Sequence, residues 1–164
     1  TITNSSGSGN ISIGSGVTVN VNRPAFAAHL ADASQSISTS TDTKVNMTTE
    51  DYDTDDAYDP TNSKFTIPTG AAGKYRFTIG VRTGNIHTGR NTVMIFKNGS
   101  MIAVGENRVT AGSGTTFTSK NFSVELDCAA GDYFEPYVNM VYNAGVKGSS
   151  ASRQTYWSAH KIGA

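Results

Sequence analysis

Cysteine, proline and tryptophan are scarce in this 164-residue sequence, which has one Cys, four Pro and one Trp. The single Cys128 excludes an internal disulfide, so packing and contacts with other chains have to stabilise the fold. No apolar run is long enough to span a bilayer as a helix, which argues against membrane insertion. Thirteen basic and thirteen acidic residues cancel, so no net charge favours nucleic acid or an acidic membrane as a partner.

Groups that could carry out catalysis are also sparse. The three histidines, His29, His87 and His160, fall on separate predicted elements and lack the spacing of metal ligands. Cys128 has no motif around it, and we interpret it as a small buried hydrophobe rather than a reactive thiol. The glycine-rich loops have the spacing of turns rather than of phosphate-binding loops. The sequence therefore predicts a protein that is not an enzyme and uses no cofactor.

Alternation of apolar and polar residues is the main positive signal. Asp59 and Pro60 supply turn chemistry ahead of Phe65, and a second turn precedes a longer alternating run. We therefore predict that residues 58–81 form a central hairpin. The second strand of this hairpin places its apolar side chains on one face: Tyr75, Phe77, Ile79 and Val81.

Further strands are predicted at intervals punctuated by turns, with residues 31–42 and 105–114 as loops. They cover residues 24–30, 44–48, 91–96, 101–104, 115–126, 133–142 and 155–162. Asn98 and Gly99 are a strong signal for a type I′ hairpin turn. The pattern favours an all-β fold, an antiparallel two-sheet jelly-roll sandwich over residues 23–164. An immunoglobulin-type sandwich is the alternative, although the Cys…Trp…Cys spacing is lacking.

Six of the thirteen carboxylates lie within residues 50–59. Several carboxylate oxygens are what Ca²⁺ requires, and the spacing imitates the start of an EF-hand loop. The sixth position is not Gly, however, and Asn62 stands where the closing Glu is needed. We predict an exposed loop without a high-affinity metal, and a Ca²⁺ site remains the alternative. Its candidate ligands are Asp51, Asp53, Asp55 and Asp56.

Residues 1–22 differ in composition from the rest, and we predict that they form a separate N-terminal arm. A Ser/Gly/Asn-rich start is followed by apolar residues that alternate with polar ones over two short runs. The arm could be a flexible linker, or an attachment device that orders only against other chains or a particle. The candidate attachment residues are Ile11, Ile13, Val17, Val19 and Val21.

Several motifs together resemble a known family. They are Tyr58-Asp59-Pro60-Thr61, Lys64-Phe65-Thr66, Gly73-x-Tyr75-x-Phe77, Pro24-Ala25-Phe26-Ala27-Ala28, Phe96-Lys97-Asn98-Gly99 and the run Tyr156-Trp157-Ser158-Ala159-His160-Lys161-Ile162. In order and spacing the set resembles the globular head of complement's first-component recognition protein, which is related in fold to the tumour necrosis factor ligands. The resemblance covers roughly residues 23–162, the length of one domain.

The resemblance implies a homotrimer around an apolar axis, and some members of the family bind Ca²⁺ near one end of the trimer. It also implies that the first and last strands are adjacent, so that His29 and His160 would be neighbours. Apolar residues on both faces of several strands agree with contacts between subunits. The candidate interface residues are Tyr75, Phe77, Tyr133, Tyr137 and Trp157.

The Ser/Thr/Asn/Gly-rich composition and the strand-like N-terminal arm resemble virion appendages of tailed bacteriophages. Our first hypothesis is therefore a non-enzymatic display protein on a virion surface. The jelly roll would be a homotrimeric knob on a bacteriophage head, as a decoration protein or head fibre, or on a tail-fibre tip. The arm would bind other virion proteins, and the knob would engage a host glycan or receptor. The alternative is a soluble or secreted ligand domain that binds a receptor or glycan outside the cell. A carbohydrate-acting enzyme would need a carboxylate pair in a cleft, and only the acidic stretch offers carboxylates.

Overall fold

The computed structural model describes residues 23–84, 88–110, 117–142 and 144–164. The arm and its candidate attachment residues Ile11, Ile13, Val17, Val19 and Val21 lie outside the described residues. The described part contains thirteen β-strands and no helix, hence no helix that could cross a membrane. The strands are β1 (Ala25–His29), β2 (Ser34–Ile37), β3 (Thr43–Lys44), β4 (Thr49–Asp53), β5 (Tyr58–Asp59), β6 (Lys64–Thr66), β7 (Gly73–Gly84), β8 (Gly89–Lys97), β9 (Ser100–Val109), β10 (Thr118–Cys128), β11 (Tyr133–Met140), β12 (Ala144–Lys147) and β13 (Tyr156–Gly163).

The strands form two sheets that pack face to face. The seven-stranded sheet has the order β2-β12-β7-β13-β1-β4, and β10 also pairs with β7. The six-stranded sheet has the order β5-β6-β11-β8-β9, and β3 also pairs with β11. All of these strand pairs are antiparallel. The predicted all-β, antiparallel two-sheet jelly roll is confirmed.

Aromatic rings from both sheets fill the space between them. Phe26 stacks on Tyr58 with ring centroids 4.5 Å apart and on Phe65 at 4.6 Å. Phe77 contacts Phe134 across the sandwich at 4.3 Å. Each of these five side chains is buried, so the core is a continuous aromatic layer that joins the two sheets.

The local structure agrees with the sequence predictions where it depends only on neighbouring residues. The inward face of β7 is buried as predicted: Tyr75, Phe77, Ile79 and Val81. Asn98 and Gly99 have φ angles of 52° and 81°, the left-handed conformation that a type I′ turn needs at both central residues. Cys128 is buried, and burial raises the pKa of its thiol to about 11, as expected for a small buried hydrophobe.

Three predictions of local structure are wrong. The central hairpin does not exist, because β6 pairs within the six-stranded sheet and β7 within the seven-stranded sheet, so their connection crosses the sandwich. Within residues 31–42, β2 pairs with β12. Residues 105–109 continue β9 along β8 instead of forming a loop. In each case a distant strand supplies the backbone partners, which local composition cannot reveal.

The acidic stretch is also more ordered than predicted. Its first half is β4, which pairs with β1, and only the segment between β4 and β5 is a loop. The Asp53 carboxylate accepts backbone N–H groups of Asp55, Ala57 and Tyr58 at 3.1, 2.5 and 2.6 Å. The carboxylate therefore holds a tight turn that connects the two strands.

Candidate binding surfaces

The centre of the outward face of the seven-stranded sheet is built from small side chains, and the next row on this face carries His160, Arg76 and Glu125. Strand register places Ala27, Ser158, Thr78 and Ser123 in one row across β1, β13, β7 and β10. The hydroxyls of Thr78 and Ser123 lie 2.8 Å apart, within hydrogen-bonding distance. Because no large side chain projects from this row, the centre of the face is flat.

A second row continues the flat face. It contains Gly80, which pairs with Tyr156 on β13 and Asn121 on β10. The Tyr156 ring lies directly over Gly80, so that a Cβ atom there would overlap the ring. At the β4 edge of the same sheet, Tyr52 is 51% exposed. We call the residues of these two rows and Tyr52 the flat face.

The interface candidates chosen from the sequence are divided between the core and the other sheet. Tyr75, Phe77 and Trp157 are 0% exposed, because they alternate onto the inward face of β7 and β13. This burial contradicts the expectation that they face a partner chain. Tyr133 and Tyr137 are half-buried on β11 in the six-stranded sheet, and their role as interface residues stays a prediction.

The two histidines expected to be neighbours are separated. His160 pairs with Ala25 at the start of β1, and His29 pairs with Tyr156 at its end. The strands are adjacent as expected, but their antiparallel register places the two rings at opposite ends. His29 instead contacts Asp51 on β4, with 3.2 Å between Nδ1 and Oδ2.

Asp51, His29 and Arg153 form a charged cluster that ties the loop before β13 to β4. Arg153 donates two hydrogen bonds to the Asp51 carboxylate, at 2.5 and 3.2 Å. The bond from Arg153, together with that from His29, holds the pKa of Asp51 below its usual value. His29 is 2% exposed, and its Nε2 has no hydrogen-bond partner among the described residues. The cluster is structural in its contacts, since the Asp51 carboxylate binds both His29 and Arg153.

The Ca²⁺ candidates do not converge. Asp51 faces His29 and Arg153, whereas Asp53 is occupied by backbone amides. Asp55 and Asp56 line a depression of about 490 Å³ at one end of the sandwich. No group of three or more His, Cys, Asp or Glu side chains that could hold a metal ion occurs among the described residues.

The chain is similar to known proteins in structure, whereas the comparisons of its sequence found no match. No family model matches the chain, and no curated protein matches it. The tumour necrosis factor Eiger from S. frugiperda superposes with a TM-score of 0.64 at 8% identity, covering 85% of this chain and 91% of that one. Murine APRIL gives 0.63 at 11% identity, covering 86% and 100%. The globular domain of the zebrafish complement 1qA protein gives 0.58 at 12%, covering 86% and 98%.

These likenesses establish the fold. The described chain is a jelly roll of the kind found in tumour necrosis factor and complement globular-head proteins. Sequence identities of 8 to 12% support a conclusion about the fold and none about function. The flat face was missed from the sequence because Ala, Ser, Thr and Gly give no signal of their own in a chain so rich in them.

Proposed function

We propose that the chain is a non-enzymatic ligand-type domain that acts outside the cell. In this proposal it associates as a homotrimer and binds a receptor or glycan. Its likeness to tumour necrosis factor and complement-head structures supports a ligand role over a catalytic one. The observation that carries the self-association is the flat face of the seven-stranded sheet.

A flat face of small side chains suits contact between copies of one chain. Backbones can approach closely where Ala27, Ser158 and Thr78 lie side by side. Such a surface has little side-chain entropy to lose on association. Tyr52, exposed at the sheet's edge, adds an aromatic anchor of the type enriched in interfaces.

Light scattering on the purified protein tests the proposal, with an expected mass of three times 17.3 kDa. Thr78→Arg places a long charged side chain at the centre of the flat face and should give monomers. Thr61→Arg is the matched control, because Thr61 is exposed in the turn after β5 and lies off this face. A wild-type monomer at micromolar concentration, or a trimer that survives Thr78→Arg, contradicts the proposal.

A virion-display role is the second candidate, and it rests on the alternating apolar residues of the arm. Under this hypothesis the arm attaches the jelly roll to a particle. Deletion of residues 1–22 should then leave the trimer intact and abolish incorporation into the particle. The structural likenesses support the ligand-type role, and we place that role first.

A further inference from the structure

The outward face of the six-stranded sheet carries a cluster of large apolar side chains. Strand pairing places Tyr137, Met94 and Val104 in one row across β11, β8 and β9. Phe96 and Met101 are paired in the adjacent row, and the Phe96 and Tyr137 rings are in contact at 4.2 Å. We call these five residues the methionine patch.

The methionine patch is partly open to solvent. Met94 is 3% exposed at its centre, whereas Met101 and Val104 on β9 are each 53% exposed. All three line a depression of about 340 Å³, whose remaining walls are polar: Asp42, Arg90, Thr92, Glu106 and Asn139. An apolar side chain inserted here would lie against two methionines, whose flexible side chains adapt to the shape of a ligand. Exposed apolar clusters of this kind with a polar rim are typical of protein interaction sites.

Charges surround the methionine patch, and most of them are already paired; Asp42 accepts a hydrogen bond from Asn139 instead of an ion pair. Lys44 donates to Glu135 at 2.6 Å on the β11 side. Arg90 lies 3.7 Å from Glu106 at the far end. A charged partner would have to compete with these pairs, whereas an uncharged one leaves them intact. The rim is therefore complementary to a segment without charge.

We propose that the methionine patch is a docking site for an uncharged, apolar segment of a partner protein. The segment lies across the sheet face and places one large apolar side chain in the depression between Met101 and Val104. The site is on the sheet opposite the flat face, so a trimer formed through the flat face leaves it open. The docking proposal does not depend on trimer formation, so an experiment can refute either proposal without refuting the other.

A glycan fits the site less well than a protein segment. Sugars need free hydrogen-bonding groups, but Asn139 at the rim donates to Asp42 at 2.6 Å and Lys44 is engaged with Glu135. Sugars also stack on open aromatic faces, and the Phe96 and Tyr137 rings cover one another. These polar groups of the rim thus form hydrogen bonds with each other rather than with a ligand.

Addition of a strand to the free edge of β9 is also disfavoured. The pairing of β9 with β8 shifts register at Ile95 and Phe96, which leaves Ile102 as a bulged residue. Glu106 and Arg108 then place charges along the second half of the strand. Bulges and charges are the devices that protect edge strands from pairing. We therefore place the contact on the sheet face.

The test uses a displayed library of short uncharged peptides in which apolar residues alternate with Ser, Thr or Gly. The selected peptide is added to protein carrying ¹³C-methyl methionine. Met94 and Met101 should shift in the NMR spectrum, whereas Met47 and Met140, both in the core, should not. The four methionines thus include two internal controls.

Two substitutions complete the test. Val104→Glu and Met101→Ser should each weaken peptide binding by at least about tenfold, and both residues are exposed enough to be replaced without unfolding. Val141→Glu is the control, since Val141 is 39% exposed and lies outside the patch; it should change binding by less than about twofold. Light scattering should give the wild-type mass for all three variants.

Four outcomes would overturn the proposal. The first is a library that yields no peptide whose binding depends on Val104. The second is selection of charged peptides from a matched charged library in place of uncharged ones. The third is a glycan that shifts the Met94 and Met101 methyls when no peptide does. The fourth is a change of mass on Val104→Glu, because the occupant would then be a second copy of the chain.

Discussion

Phe26 joins the two sheets, and its removal should destabilise the protein strongly. The side chain is 0% exposed. Its ring stacks on Tyr58 at 4.5 Å and Phe65 at 4.6 Å, and meets the edge of Trp157 at 5.7 Å. Tyr58 and Phe65 belong to the six-stranded sheet, whereas Phe26 and Trp157 belong to the seven-stranded sheet. Phe26→Ala would open a cavity between the sheets.

The expected loss of unfolding free energy follows from this burial. Transfer of a fully buried Phe side chain to water costs about 1.5–3 kcal/mol. The unfilled cavity raises the total for Phe→Ala to about 3–5 kcal/mol, which includes the lost ring contacts. A domain is stable by only about 5–15 kcal/mol, so one side chain accounts for a large part of the total.

Urea denaturation at one fixed protein concentration measures the effect, since association would otherwise change the midpoint. With a slope of about 2 kcal/mol per molar urea, the midpoint should fall by roughly 2 M. Phe117→Ala is the matched control, because Phe117 is 51% exposed and its ring packs on the Arg82 guanidinium, at 4.5 Å, and beside Gly84. The contact with Arg82 is worth about 0.5–1 kcal/mol. Equal shifts for the two variants would refute the assignment of Phe26 to the centre of the core.

Two further predictions concern the loop before β13. Gly148→Ala should destabilise the fold by about 1–3 kcal/mol, because the added methyl would overlap the Ala31 carbonyl oxygen; Gly163→Ala, with open space around it, should not change the urea midpoint. Arg153→Gln should lower the midpoint at pH 7 and have a smaller effect in strong acid, where only the hydrogen bond from Arg153 to the Ser150 carbonyl is lost. The reason is that folding lowers the pKa of Asp51. The ionised Asp51 therefore stabilises the folded protein fully above its unfolded pKa of about 3.9, and this stabilisation is lost as the pH falls through the folded pKa. A destabilisation by Arg153→Gln that is independent of pH would contradict this account.

Strand identity was predictable where alternation was regular. Tyr75 to Val81 alternate strictly, and β7 buries them as expected. Alternation does not reveal which strand lies alongside, since partners come from anywhere in the chain. The seven-stranded sheet joins residues as distant as Ser34 and Lys147. Sheet membership of β6 and β7, and the existence of β2 and β12, were therefore beyond the reach of local patterns.

The candidate sites were less predictable than the fold, because an aromatic residue looks the same in a core and in an interface. Trp157 and Tyr75 were chosen as interface candidates because they are aromatic, yet aromatic side chains also fill the space between the sheets. The charged cluster of Asp51 and Arg153 was missed since its members are 102 residues apart. The only signal in the sequence was the acidic stretch, for which we predicted an exposed loop, with a Ca²⁺ site as the alternative, and no arginine partner.

One sequence observation does lead to the proposed docking site. Apolar residues on both faces of residues 93–96 indicated more apolar surface than one protomer can cover. In the structure, Val93 and Ile95 face the core, and Met94 is covered by its own neighbours. The exposed apolar side chains lie on the neighbouring strand β9, at Met101 and Val104. The excess is thus on the six-stranded sheet, away from the flat face. A contact between copies and a contact with a different protein would therefore use different sheets, and Thr78→Arg and Val104→Glu should affect them separately.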